Sequence, residues 1–80
     1  MKIYILRPIE GIANDPWSPW YDKAFGVVVR AENAKEARKM ASEKHGDERA
    51  YPWLSSEFTT CRQLKPEGKA VVIMVDFAGA

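Results

Sequence analysis

Alternation of apolar and polar side chains marks the start of the chain. Residues 2–7 are β-branched, aromatic and aliphatic, with Ile3 and Ile5 on one face and Tyr4 and Leu6 on the other. Pro8, which has no amide proton, closes that ladder, and the pattern predicts a first strand. Pro8, Gly11, Asn14, Asp15, Pro16 and Pro19 follow at a density that excludes a long regular element, so a long loop is expected. Residues 25–31 place Phe25, Val27, Val29 and Ala31 on one parity and Gly26, Val28 and Arg30 on the other. That is the period of a half-buried second strand.

The period then changes. Asn33 precedes an alanine-rich segment and Glu36 follows three positions later, close to a capping box in which each side chain satisfies the other's free amide. A helix is predicted from there, with Ala34, Ala37, Met40 and Ala41 on one face. Lys44 and His45 suit its negative end, and Gly46 is the expected left-handed cap. A face built mainly of alanine lies close on a sheet but buries little area, so the aromatics must supply the rest of the core. Pro52 in the segment Tyr51-Pro52-Trp53-Leu54 can open one helical turn, and Trp53 is expected in the core. Residues 58–64 suit a third strand, 66–68 a turn, and 70–77 the strongest strand of all, the last two strands forming a hairpin. In that last strand Val71, Ile73, Val75 and Phe77 form one face, leaving Val72 and Met74 on a second apolar face, to be covered by the long loop or offered to a partner.

The predicted fold class is therefore α+β: a mainly antiparallel sheet of about four strands in the order β-β-α-β-β, with one helix packed on one face. The 80 residues make a single domain, 1–80, with no room for a separate cofactor domain. A hydrophobic share of 46% and near balance of 12 Lys+Arg against 11 Asp+Glu describe an ordinary globular domain rather than a disordered one. The net charge of +1 produces no global field for polyphosphates. With one cysteine, Cys61, there is no internal disulfide, and cytoplasmic residence is expected. The longest apolar run, residues 70–75, is far below the roughly 20 residues needed to span a bilayer, and no targeting segment is evident.

Chemistry-bearing sets are sparse. His45 is the only histidine and is explained by the helix terminus; Cys61 sits within a strand, where a free cysteine usually serves as a small buried hydrophobe. A Cys61–His45 nucleophilic pair would depend on the fold bringing the two together. One Cys and one His build no zinc motif, Glu10, Asp15 and Asp22 do not follow a calcium-loop spacing, and the scattered glycines form no phosphate cradle. The expectation is a protein without enzymatic activity, metal or cofactor.

Two surface features remain. Trp17, Trp20 and Tyr21 crowd a loop stiffened by Pro16 and Pro19, and such rings are frequent anchors of protein interfaces when they are not needed to complete the core. Lys35, Arg38 and Lys39 form a basic stripe on the predicted helix, diluted by Glu36 and Glu43. The stripe suits either an acidic protein surface or nucleic-acid phosphates, but no RNA-recognition aromatic pattern accompanies it.

The segment Tyr21-Asp22-Lys23-Ala24-Phe25-Gly26-Val27-Val28-Val29-Arg30-Ala31, with Glu36-Ala37-Arg38, Gly46-Asp47-Glu48, Trp53 and Thr59-Thr60-Cys61, resembles small proteins carried by bacteriophages and mobile elements. Proteins of this style often resemble inhibitors of host defence, including anti-CRISPR proteins, which commonly occupy a surface of a larger complex. The resemblance implies a protein-binding inhibitor of a host protein or ribonucleoprotein complex in the bacterial cytoplasm, and supplies no catalytic residue. Partner-binding residues are then expected to be Trp17, Trp20 and Tyr21 as anchors and Lys35, Arg38 and Lys39 as steering charges. The alternative is a nucleic-acid-binding accessory protein using the basic helix face. Both a monomer and a homodimer built through Val72 and Met74 fit the pattern.

Overall fold

The structure is a computed structural model and describes residues 1–17 and 22–75. Its elements are β1 (Lys2–Pro8), β2 (Val27–Ala31), α1 (Ala34–Ser42), α2 (Tyr51–Leu54) and β3 (Thr59–Leu64). The α+β class holds, with a three-stranded antiparallel sheet in the order β2-β1-β3 and two helices. Alternation in β1 sets which side is packed. Tyr4 and Leu6 face Val29 and Val27 across one ladder and Gln63 and Cys61 across the other, and this is the face that meets the helices. Ile3, Ile5 and Arg7, with their neighbours Arg30, Val28, Leu64, Arg62 and Thr60, point to the opposite face.

The expected fourth strand is not seen among the described residues. Residues 71–75 have no ladder, and β3 pairs with β1 instead of forming a hairpin with them; residues 76 and 77 lie outside the described part. Apolar alternation reports only that a segment can sit in a sheet, and pairing depends on where the chain carries it. Val71, Val72, Ile73, Met74 and Val75 are all exposed.

α1 starts as its sequence dictates. Asn33 Oδ1 accepts from the Glu36 amide at 2.8 Å, while the Glu36 carboxylate reaches back to the Glu32 amide at 3.4 Å. Its buried arc holds Ala37, Ala41 and Ser42, so the helix is turned away from the expected face, leaving Ala34 and Met40 exposed. The helix ends at Ser42 with Glu43 as its cap, and Gly46 is not left-handed. Gly46 is required for another reason: a Cβ there would strike the backbone carbonyl of Asp22. The left-handed residue of this connection is Arg49, at φ 75°. α2 carries Pro52 in its first turn, as expected, and buries Trp53 completely.

Candidate functional site

Trp53 is the centre around which the interior is built. Its indole meets Trp17 edge to face, with ring centroids 5.5 Å apart and planes at 87°, and Leu6, Tyr4, Ala31, Ala37 and Ala41 complete the cluster. Two polar hubs hold these rings. The buried Glu48 carboxylate accepts from Trp53 Nε1 at 2.8 Å and the Gly46 amide at 2.9 Å through Oε2, and from the Ala24 amide at 3.2 Å through Oε1. It thereby ties the end of the long loop, the turn after α1 and the core indole together. On the far side of Trp53, Arg38 donates to the Trp53 carbonyl at 3.1 Å, to Thr59 Oγ1 at 2.8 Å and to the Thr59 carbonyl at 3.0 Å. The buried Thr59 hydroxyl also lies 2.8 Å from the Pro52 carbonyl.

These contacts change the expected site. Trp17 is 4% exposed and donates from Nε1 to the Ala24 carbonyl at 2.7 Å, so it completes the core and is no surface anchor. The core of a small sheet needs large rings, and a loop tryptophan with a carbonyl for its N–H is the one recruited. Trp20 and Tyr21 lie outside the described residues. Arg38 is likewise removed from the basic stripe, because its planar fork matches the carbonyls of a neighbouring turn. Lys35 and Lys39 remain exposed and line a shallow depression of about 460 Å³ with Asn33, Glu36 and Leu54. Exposed Leu54 and Tyr51 extend that rim, Tyr51 resting edge to face on Phe58 at 5.9 Å.

Sequence reasoning missed Glu48, which stands in the polar run Asp47-Glu48-Arg49 with nothing local to mark it as buried. It also missed the second face of the sheet. Gly26 precedes β2 with the parity of Val28 and Arg30, and Met74 Cε occupies the space where a Gly26 Cβ would project. Residues 71–75 thus reach the side opposite the helices, where Ile5 is only 5% exposed.

The candidate nucleophile is set for packing. Burial pushes the Cys61 thiol above its ordinary range, with nearby Arg38 opposing the shift. An activated thiol needs the reverse. His45 is exposed, its Nδ1 2.8 Å from the Gly46 carbonyl. Among the described residues no group of three potential ligands gathers for a metal ion, and no helix is long and apolar enough to cross a membrane. Comparisons with known protein families, with curated proteins and with solved structures give no match.

Proposed function

We propose that this chain is a non-catalytic docking module that works by covering a surface of a larger protein or ribonucleoprotein complex. The observation that carries this is the exposed apolar run Val71, Val72, Ile73, Met74 and Val75, left over after the Trp17–Trp53 pair has closed the interior. An apolar stretch of that kind is costly in water and favours a partner. Trp20 and Tyr21 stay with the proposal as sequence-derived anchors, and Lys35 and Lys39 beside Leu54 as a polar rim. Trp17 and Arg38 drop out, since both are spent on the fold.

The setting we propose is a phage or prophage protein that sterically blocks a CRISPR-Cas-like defence complex in the host cytoplasm, and this part rests on the sequence resemblance. Nucleic-acid binding by the helix face is the weaker alternative: without Arg38 the stripe keeps two lysines, next to Glu36. The test is expression in bacteria immune to a chosen phage through CRISPR-Cas, alongside mass-spectrometric identification of what the tagged chain retains from those cells. The wild type should restore plaques and hold one protein complex, and V72D/I73D should lose both. Retention without plaques removes the defence setting, while failure of the wild type to retain any specific partner removes the docking function.

A further inference from the structure

The sheet face turned away from the helices carries charges of one sign. In the register of the strands, Arg30, Ile3 and Leu64 form one row, Val28, Ile5 and Arg62 the next, and Arg7 pairs with Thr60 beyond them. Every charged side chain that the three strands direct to this face is an arginine, so no carboxylate stands among these strand positions. Arg30 and Arg62 are exposed, on the two edge strands, two strand spacings of about 5 Å each apart and offset by two residues in register. Arg7 is half-buried on the central strand, one row beyond Arg62 and two beyond Arg30, and its Nε is enclosed with no hydrogen-bond partner among the described residues. Exposed Ile3 and Val28 and half-buried Leu64 fill the spaces between the guanidinium groups, and Met74 brings the exposed run 71–75 to the same side.

We infer that this arginine and aliphatic face is where the docking module receives its partner, and that the partner is a protein surface with an apolar centre and an acidic border. The inference rests on the docking function proposed above and adds the place and the chemistry. Three observations select this occupant. Arginine around an aliphatic centre is the composition of protein interfaces, with guanidinium forks suited to carboxylates. A nucleic acid would satisfy the arginines with phosphates but leave Ile3, Val28 and Leu64 unused, and among the described residues the strands direct no aromatic ring to this face on which a base could stack. A second copy docking through the same face would bring two sets of arginines into one interface with no strand carboxylate to offset them, and like charges there are repulsive.

The test is an NMR titration of the full chain with three probes: a synthetic amphipathic peptide with leucine on one side and glutamate on the other, its lysine-for-glutamate counterpart, and a single-stranded 20-mer DNA. We expect the acidic peptide to shift the amides of Ile3, Val28, Arg30 and Arg62, and R30E/R62E to weaken its binding at least tenfold. R30Q/R62Q should give an intermediate loss with an unchanged melting profile, and K35E/K39E should bind as the wild type does. The assignment is overturned if the acidic peptide does not bind, if its shifts fall on α1, or if the DNA binds more tightly and is released by R30E/R62E. It is equally overturned if those variants self-associate while binding the peptide normally, which would make the arginines guards of the sheet edges. Retention of a cellular partner by R30E/R62E would exclude this face while leaving the docking function intact.

Discussion

Glu48 shows how much one side chain decides here. A buried carboxylate with no cationic partner among the described residues needs its oxygens occupied, and three N–H donors from separate segments occupy them. Glu48→Ala should cost about 3 kcal/mol or more in urea unfolding, because it strands those donors in the interior. Cys61 gives a second expectation. With its thiol pKa raised by burial, the thiolate is scarce at neutral pH, so iodoacetamide labelling of the native chain at pH 7 should be much slower than that of the unfolded chain. The sign of the linkage follows: the folded form holds the proton more tightly, so this group's contribution is complete below the ordinary thiol range and fades as pH rises through the raised value. Fast labelling at pH 7 would reopen the nucleophilic role of Cys61.

Elements whose formation is local were legible, and those that need a partner were not. The start of α1 follows from Asn33 and Glu36, which lie within one turn of each other. β1, β2 and β3 came within a residue or two of their predicted bounds because alternation is a property of the strand itself. The end of α1 was misread, since glycine after a helix has two uses and the sequence does not separate them. Gly46 serves close approach: the Asp22 carbonyl, which accepts from the Asp47 amide at 2.6 Å, fills the space a side chain would need. Gly46→Ala should therefore destabilise the fold by about 1–3 kcal/mol in thermal or urea melts, since the obstacle is backbone and does not swing aside. An unaffected melting curve would mean that the 22–24 segment is free to move off the turn.

For the molecule as a whole, the sheet has two faces with different occupations. One is sealed by α1, α2 and Trp17, while among the described residues the other has residues 71–75 drawn across it at Met74. A chain ending at Ala70 should still unfold cooperatively but with roughly 2 kcal/mol less stability, the order expected for returning a buried Ile5 to water. The same truncation should abolish retention of the cellular partner. Preserved retention would shift the docking surface to the Lys35, Lys39 and Leu54 rim.

The order of apolar and polar residues determined the α+β class, the strands around β1, the capped start of α1 and the burial of Trp53, because each is set by period or by neighbours a few positions away. It also bounded the chemistry, since one cysteine and one histidine give little to assemble. Tertiary structure alone decided that Trp17 belongs to the core and Arg38 to a carbonyl clamp, and that residues 71–75 of the strongest strand-forming stretch have no ladder. It also decided that Arg7, Arg30 and Arg62, far apart in the chain, share the sheet face turned away from the helices. Those outcomes depend on which distant groups meet, and a buried carbonyl or a partly covered sheet face is defined only once the chain has closed on itself.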